Sequence, residues 1–200
     1  MEYVIGTVSL IFHKAMIGDP LGILLAVALV VAGCSEVSYT PAQDHNSLAS
    51  TEFSHYLSQQ PMVTYDELCR AVLLTADGED AQKSFEERDS ALKGRGIART
   101  EWSYDAGHVV DRGTLAYMIL QVSQSRKGLN STLAGWTGIG CERYALKDVA
   151  VQKLMSSGLP YQVPTGGEVV RALASADDYM AKKGLYASEE KIVTSPRDVD

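Results

Sequence analysis

One device recurs three times along this chain and sets its fold class. Val63-Thr64-Tyr65-Asp66-Glu67-Leu68 is a helix start, with Thr64 and Glu67 as a capping box and Val63 and Leu68 as the hydrophobic staple across it. Leu68, Cys69, Val72 and Leu73 then fall on one face. Val110-Asp111-Arg112-Gly113-Thr114-Leu115 repeats the plan, with Asp111 as N-cap and Val110 and Leu115 as staple. Leu115, Met118, Ile119 and Val122 follow at helical spacing. Pro164-Thr165-Gly166-Gly167-Glu168-Val169 gives the same signal again, continued by Val170 and Leu173. Two more helices lie between. Residues 84–93 open on a capping box, Ser84 to Glu87, and stop at Gly94-Arg95-Gly96-Ile97; residues 142–157 stop at Gly158-Leu159. A glycine past the helix end, followed by an apolar residue, is a C-terminal stop. The chain is predicted to be all-α, built of short helices in roughly two helix-loop-helix repeats with residues 64–76 as a leading half-unit. Each unit of ~50 residues would bury its apolar face against its neighbours.

Ahead of the helices the sequence changes character. Residues 21–33 are thirteen residues without a charge, ending in Val31-Ala32-Gly33 before Cys34. That length fits the apolar core of a secretory signal and falls short of the ~20 residues that span a bilayer. Ser35-Glu36-Val37-Ser38-Tyr39-Thr40-Pro41 is polar at once, with no stop-transfer cluster of Lys or Arg. Residues 1–20 make a poor basic leader, since Glu2 is the only charge before Lys14, and Met16 is an alternative start that would lose that lysine. The small residues before the cysteine resemble the lipobox of bacterial lipoproteins, [LV]-[AS]-[GA]-C. The resemblance implies a signal peptide at residues 1–33, cleavage between Gly33 and Cys34, and acylation of Cys34 by palmitate-like chains. An uncleaved N-terminal helix with a chance cysteine is the alternative.

Removing residues 1–33 takes away Lys14, Glu2 and Asp19 and leaves 167 residues of net charge −6, long enough for a substantial core. A mildly acidic chain without a basic stripe excludes nucleic acid as the main partner. Attachment to a membrane would have to come through lipid, two or more acyl chains being needed for stable anchoring. Residues 34–61, rich in Ser, Thr, Gln and Asn, read as the lipidated cysteine and a flexible tether of about 25–30 Å mean reach. Phe53, Tyr56 and Leu57 make one weak helical face within it, and His45 and His55 read as solvated. The helical domain is expected at 62–180 and a disordered tail at 181–200. With Cys34 taken by lipid, an oxidising compartment predicts a Cys69–Cys141 disulfide; a buried thiol at Cys69 is the alternative.

Leu92-Lys93-Gly94-Arg95-Gly96-Ile97, a loop, and then Val110-Asp111-Arg112-Gly113-Thr114-Leu115-Ala116-Tyr117-Met118 resemble an S-layer homology repeat. In that family a helix ending in Gly-Ile leads through a loop to a helix opened by an [IV]-T-R-A-E-like motif. The similarity covers about residues 63–180 and is clearest over 84–120. It implies binding of cell-wall polysaccharide through that motif, which stands here as VTYDE, VDRGT and PTGGE, with Arg112 alone keeping the arginine. The loop at 159–165 is also much shorter than that at 97–111.

The remaining chemistry is sparse. Asp105, His108 and Asp111, at i, i+3 and i+6 near Trp102, are the densest set of metal-ligand types, but Asp111 already serves as an N-cap and a site needs converging geometry. Ser90-Ala91-Leu92-Lys93 matches S-x-x-K, yet lies mid-helix without its partner motifs. Asp77-Gly78-Glu79-Asp80 reads as a solvated turn. The glycine-rich loop 128–140 fits neither a dinucleotide fingerprint nor a P-loop. No catalytic residue, metal or cofactor is assigned, and the chain reads as a non-enzyme. Trp136, Trp102 and Tyr104, with Arg112, are the candidate contacts for a glycan or protein partner, since aromatic rings with a polar edge suit both; plugging of their own loops is the competing role. The expected function is a lipid-anchored envelope protein, structural or adaptor-like, holding a protein or wall-glycan partner near the membrane. A wall-polysaccharide module is the runner-up, and a small envelope hydrolase or metalloenzyme a distant third.

Overall fold

The computed structural model describes residues 38–41, 43–124 and 141–185. The chain divides into two compact units, Met1–Val37 and Ser38–Asp200. Among the described residues, all in the second unit, the fold is all-helical. A 3-10 turn, His45–Ser47, is followed by α1 (Ser50–Ser58), α2 (Tyr65–Asp77), α3 (Phe85–Gly94), α4 (Arg112–Val122), α5 (Cys141–Val151) and α6 (Gly166–Lys183). Among the described residues, extended pairing is limited to two isolated antiparallel bridges, Ser38 with His108 and Thr64 with Val109. No described helix is long and apolar enough to cross a membrane.

Two helices carry the core. α2 packs on α1, α3, α4 and α6, while α4 packs on α2, α5 and α6. Nine consecutive residues of α2, 65–73, are buried, and α4 is nearly as enclosed. A helix covered on every side must pair its polar residues inside the protein. That requirement generates the charged clusters described below.

The three predicted helix starts all form. Thr64 Oγ1 accepts from the Glu67 N–H at 3.3 Å, and Glu67 Oε2 accepts from the Thr64 N–H at 2.8 Å, completing the box. Asp111 Oδ1 accepts from the Thr114 N–H at 2.7 Å, and Thr165 Oγ1 from the Glu168 N–H at 3.3 Å. The staple residues Val63 with Leu68, Val110 with Leu115, and Pro164 with Val169 are all buried. Only the first box is reciprocal. Glu87 reaches back to the Lys83 N–H instead of the Ser84 N–H, and Glu168 turns to Arg112.

The helix stops divide. After α3 the predicted Gly-Ile signal operates: Gly96 takes φ +69°, its N–H donates to Lys93 O, and the Ile97 N–H donates to Leu92 O at 2.9 Å. This is the doubly bonded left-handed cap. α5 was expected to run to Ser157 and stop at Gly158, but it ends at Val151. The same cap forms there on a lysine. Lys153 takes φ +62°, its N–H donates to Ala150 O, and the Leu154 N–H donates to Val149 O. Gly158 serves another end: a Cβ on it would lie 3.1 Å from the Cζ and Nε of Arg112, so its bareness admits the guanidinium.

The largest correction concerns residues 38–61, expected as a tether. α1 lies here, with Phe53 and Leu57 fully buried, and α1 packs on α6 and α2. The Gly166 N–H at the start of α6 donates to Gln60 O at 2.9 Å. The Tyr56 hydroxyl donates to Glu67 Oε1 at 2.8 Å. Phe53, Tyr56 and Leu57, in an otherwise polar stretch, dock α1 against α2 and α6. At the other end α6 runs to Lys183 before its cap at Gly184, three residues into the expected tail; residues 186–200 lie outside the described residues.

The expected disulfide is a second correction. Cys69 and Cys141 are both buried thiols, not joined to one another. They stand on α2 and α5, each of which packs on α4. Burial, reinforced by the nearby Asp89 and Asp66, pushes the Cys69 thiol pKa well up, so it stays protonated.

Candidate functional site

Among the described residues, the densest polar assembly surrounds the first turn of α2. Asp66 stands one turn before Arg70, the i, i+4 arrangement that ordinarily pairs on a solvated helix face. Here each takes a distant partner instead. Arg88, on α3, donates from Nη1 to Asp66 Oδ1 at 2.9 Å and from Nε to Asp80 Oδ2 at 2.7 Å. Its Nη2 donates to Asn46 Oδ1 at 2.6 Å. Arg70 Nε lies 3.6 Å from Asp80 Oδ2, its Nη1 donates to the His45 carbonyl, and its Nη2 donates to Leu48 O at 2.6 Å. The Arg70 guanidinium also sits 4.5 Å from the centre of the Phe53 ring. His45 Nε2 lies 3.3 Å from Asp66 Oδ2.

The electrostatics follow from burial and pairing. Burial raises the Asp66 pKa, but the hydrogen bonds and charges of His45 and Arg88 outweigh it, leaving the carboxyl below its ordinary value. Burial opposes the charge on Arg88, yet Asp80 and Asp66 hold its pKa above the usual one. Arg70 is lowered by burial and by the like charge of Arg88. Asp80 was expected in a solvated turn; its side chain is only 4 % exposed, because the turn at Gly78 folds it back between two arginines. His45 was likewise expected in solvent and is buried.

His45 and Asp66 line a cleft of about 530 Å³ together with Tyr39, Gln43, Thr64 and the turn at Asp105, Ala106 and Gly107. A histidine paired with a carboxylate can act as a base only if a reacting group lies within reach. Each charge of the cluster is instead spent on another element: the 3-10 turn, α2, the following turn and α3. The arrangement clamps four segments together. Sequence reasoning missed it because the polar side of α2 reads as solvated until residues 38–48 are placed over it.

The candidate contact residues are similarly occupied. Arg112 is buried, paired with Glu168 and bonded to the carbonyl and hydroxyl of Ser156. Trp102 is buried against Tyr65, Tyr104 and Tyr117, and its indole N–H donates to Glu142 Oε1 at 3.2 Å. Glu142 also accepts from Arg99 at 2.9 Å. Tyr104 is half-buried and stacks flat on His108, ring centres 4.0 Å apart. Plugging of its own loop is therefore the role of Trp102. Trp136 and the glycine loop 128–140 lie outside the described residues, as do Cys34 and the leader. Of the metal-ligand types, His108 stacks on Tyr104 and Asp111 caps α4. Among the described residues no three His, Cys, Asp or Glu side chains converge as ligands. Comparison with family models, with curated proteins and with solved structures finds no match to this chain.

Proposed function

We propose that this chain is a lipid-anchored protein of the bacterial envelope with a structural or adaptor role, presenting its helical body to a partner close to the membrane. The observation that carries the reading is a run of thirteen uncharged residues, 21–33, that ends in Val31-Ala32-Gly33 and is followed at once by Cys34. The folded unit adds support, since it begins at Ser38. Four residues of extended chain reach at most about 14 Å, so an acylated Cys34 would hold the body against the bilayer instead of at the end of a long tether. The internal commitment of the charged side chains supports a scaffold over a reaction centre. Binding of wall polysaccharide through Arg112 and Trp102 loses its support, because both are buried.

Mass spectrometry of the mature protein tests this reading. The expected product begins at Cys34 and carries acyl chains. A polypeptide that retains Met1 and an unmodified Cys34 refutes it.

A further inference from the structure

The described surface has one region where charge and apolar exposure run against the rest of the chain. The protein is acidic, net −7, and its overall charge argues against electrostatic attachment to a membrane. Between residues 141 and 171, however, every exposed charged residue is a cation: Arg143, Lys147, Lys153 and Arg171. The acids of the same stretch are all half-buried, with Glu142 held by Arg99 and Glu168 by Arg112. Four of the five exposed large hydrophobic residues among those described also fall here: Val151 (82 %), Leu159 (71 %), Tyr161 (81 %) and Val163 (42 %).

The fold holds these residues outward. The N–H groups of Arg112 and Gly113, at the start of α4, donate to the carbonyls of Gln162 and Pro160, each at 2.9 Å. With its backbone bonded inward at alternate positions, the loop presents Leu159, Tyr161 and Val163 to solvent. On α5, Arg143, Lys147 and Val151 at i, i+4 and i+8 share the side opposite the buried Ala145, Leu146 and Val149. The loop and the start of α5 adjoin, since the Cβ atoms of Pro160 and Glu142 both crowd Gly113. Lys153 and Arg171 line one cleft, which joins the end of α5 to α6.

From this we infer that the surface formed by Arg143, Lys147, Lys153 and Arg171 around the Leu159–Tyr161–Val163 loop docks the body on an anionic lipid membrane. Apolar side chains with a tyrosine among flanking cations suit the headgroup boundary, where binding grows with apolar burial and with attraction to anionic lipid. A protein partner fits less well, because the centres of protein interfaces are depleted in lysine. A second copy fits less well again, since a two-fold interface sets the patch against itself and cations against cations. Ser38, the first described residue, bridges His108, four residues along the chain from Arg112, whose N–H donates to the Gln162 carbonyl. The inference rests on the lipid-anchor reading for the presence of a bilayer, but its test omits Cys34, so the two fail separately.

The test is co-sedimentation of residues 38–200, the second compact unit, with vesicles of phosphatidylcholine alone or mixed with phosphatidylglycerol. Sedimentation with the anionic vesicles, weakened by salt, is expected. Lys147→Gln with Lys153→Gln should lower partitioning about thirtyfold at low salt, from about fivefold for each cation near an anionic surface. Leu159→Asp with Tyr161→Asp should abolish it while leaving the circular dichroism unchanged. The proposal is overturned if the fragment stays in the supernatant with both vesicle types, if both double variants bind as the parent does, or if the fragment ignores vesicles and instead forms a dimer that Leu159→Asp dissociates.

Discussion

Replacing Gly166 by alanine tests whether residues 38–61 belong to the body. A Cβ at Gly166 would stand 1.7 Å from the Leu57 carbonyl oxygen and 2.8 Å from its carbonyl carbon. Both obstacles are backbone, so no side-chain rotation relieves them; α1 and α6 must separate by about 1.5 Å to restore an ordinary carbon–oxygen contact of ~3.3 Å. Leu57 cannot follow without leaving the core, and Phe53 one turn before it is fully buried too. Complete loss of these side chains would cost about 2–5 kcal/mol each, and overpacking that the structure partly absorbs costs about 1–3 kcal/mol. We expect Gly166→Ala to destabilise the protein by about 2–4 kcal/mol. Were residues 34–61 a solvated tether, the same change would put a better helix former at the start of α6 and be neutral or stabilising by up to about 1 kcal/mol. The two pictures differ in sign. Urea unfolding followed by circular dichroism reads the difference, with limited proteolysis at residues 43–61 as a local probe. Gly94→Ala is the control: no atom lies within 4 Å of its Cβ position, so it should stabilise by about 0.5–1 kcal/mol. A Gly166→Ala midpoint equal to or above the parent's would falsify the docking of α1.

Four further outcomes follow from the buried clusters and caps. Arg88→Met should cost about 3–5 kcal/mol in chemical unfolding, because it strands Asp66 and Asp80 without their shared partner. The Asp66 carboxyl titrates below its ordinary value of 3.8 in the folded protein, so its stabilisation is complete above that value and is lost as pH falls through the lower folded one. Thermal stability should therefore drop below about pH 4, and less steeply in Asp66→Asn. Cys69 should resist a thiol reagent in the native protein and react on unfolding; fast native modification at Cys69 would contradict its burial. Lys153→Gly should raise stability by about 1 kcal/mol, since a non-glycine residue holds the left-handed cap of α5 at φ +62°; an unchanged or lower midpoint would count against that cap.

The helix starts were legible because each is written locally. Thr64, Asp111 and Thr165 cap within three residues of themselves, and the flanking apolar pairs need no distant partner. The stop of α3 was legible for the same reason, as Gly96 carries the positive φ. The stop of α5 was not, because lysine occupies the left-handed position where glycine is the usual sign. The helical face of Phe53, Tyr56 and Leu57 was legible in α1 but its burial was not, since the face docks partly on α6, which begins more than a hundred residues further along the chain. Separation along the chain also hid the Arg88 cluster, whose Asn46 lies 42 residues from Arg88. Asp66 and Arg70 look like an ordinary surface pair until Asn46 and His45 arrive from one side and Asp80 from the other.

The seam between α1 and the start of α6 has a consequence for the order of events during synthesis. A ribosome delivers Phe53 and Leu57 early, yet the backbone they rest on, at Gly166, comes out more than a hundred residues later. Until then α1 has only α2 to rest on, through contacts such as that of Phe53 with Arg70, and its seam with α6 stays open. Among the described helices, the last to emerge is thus the one that closes over the first.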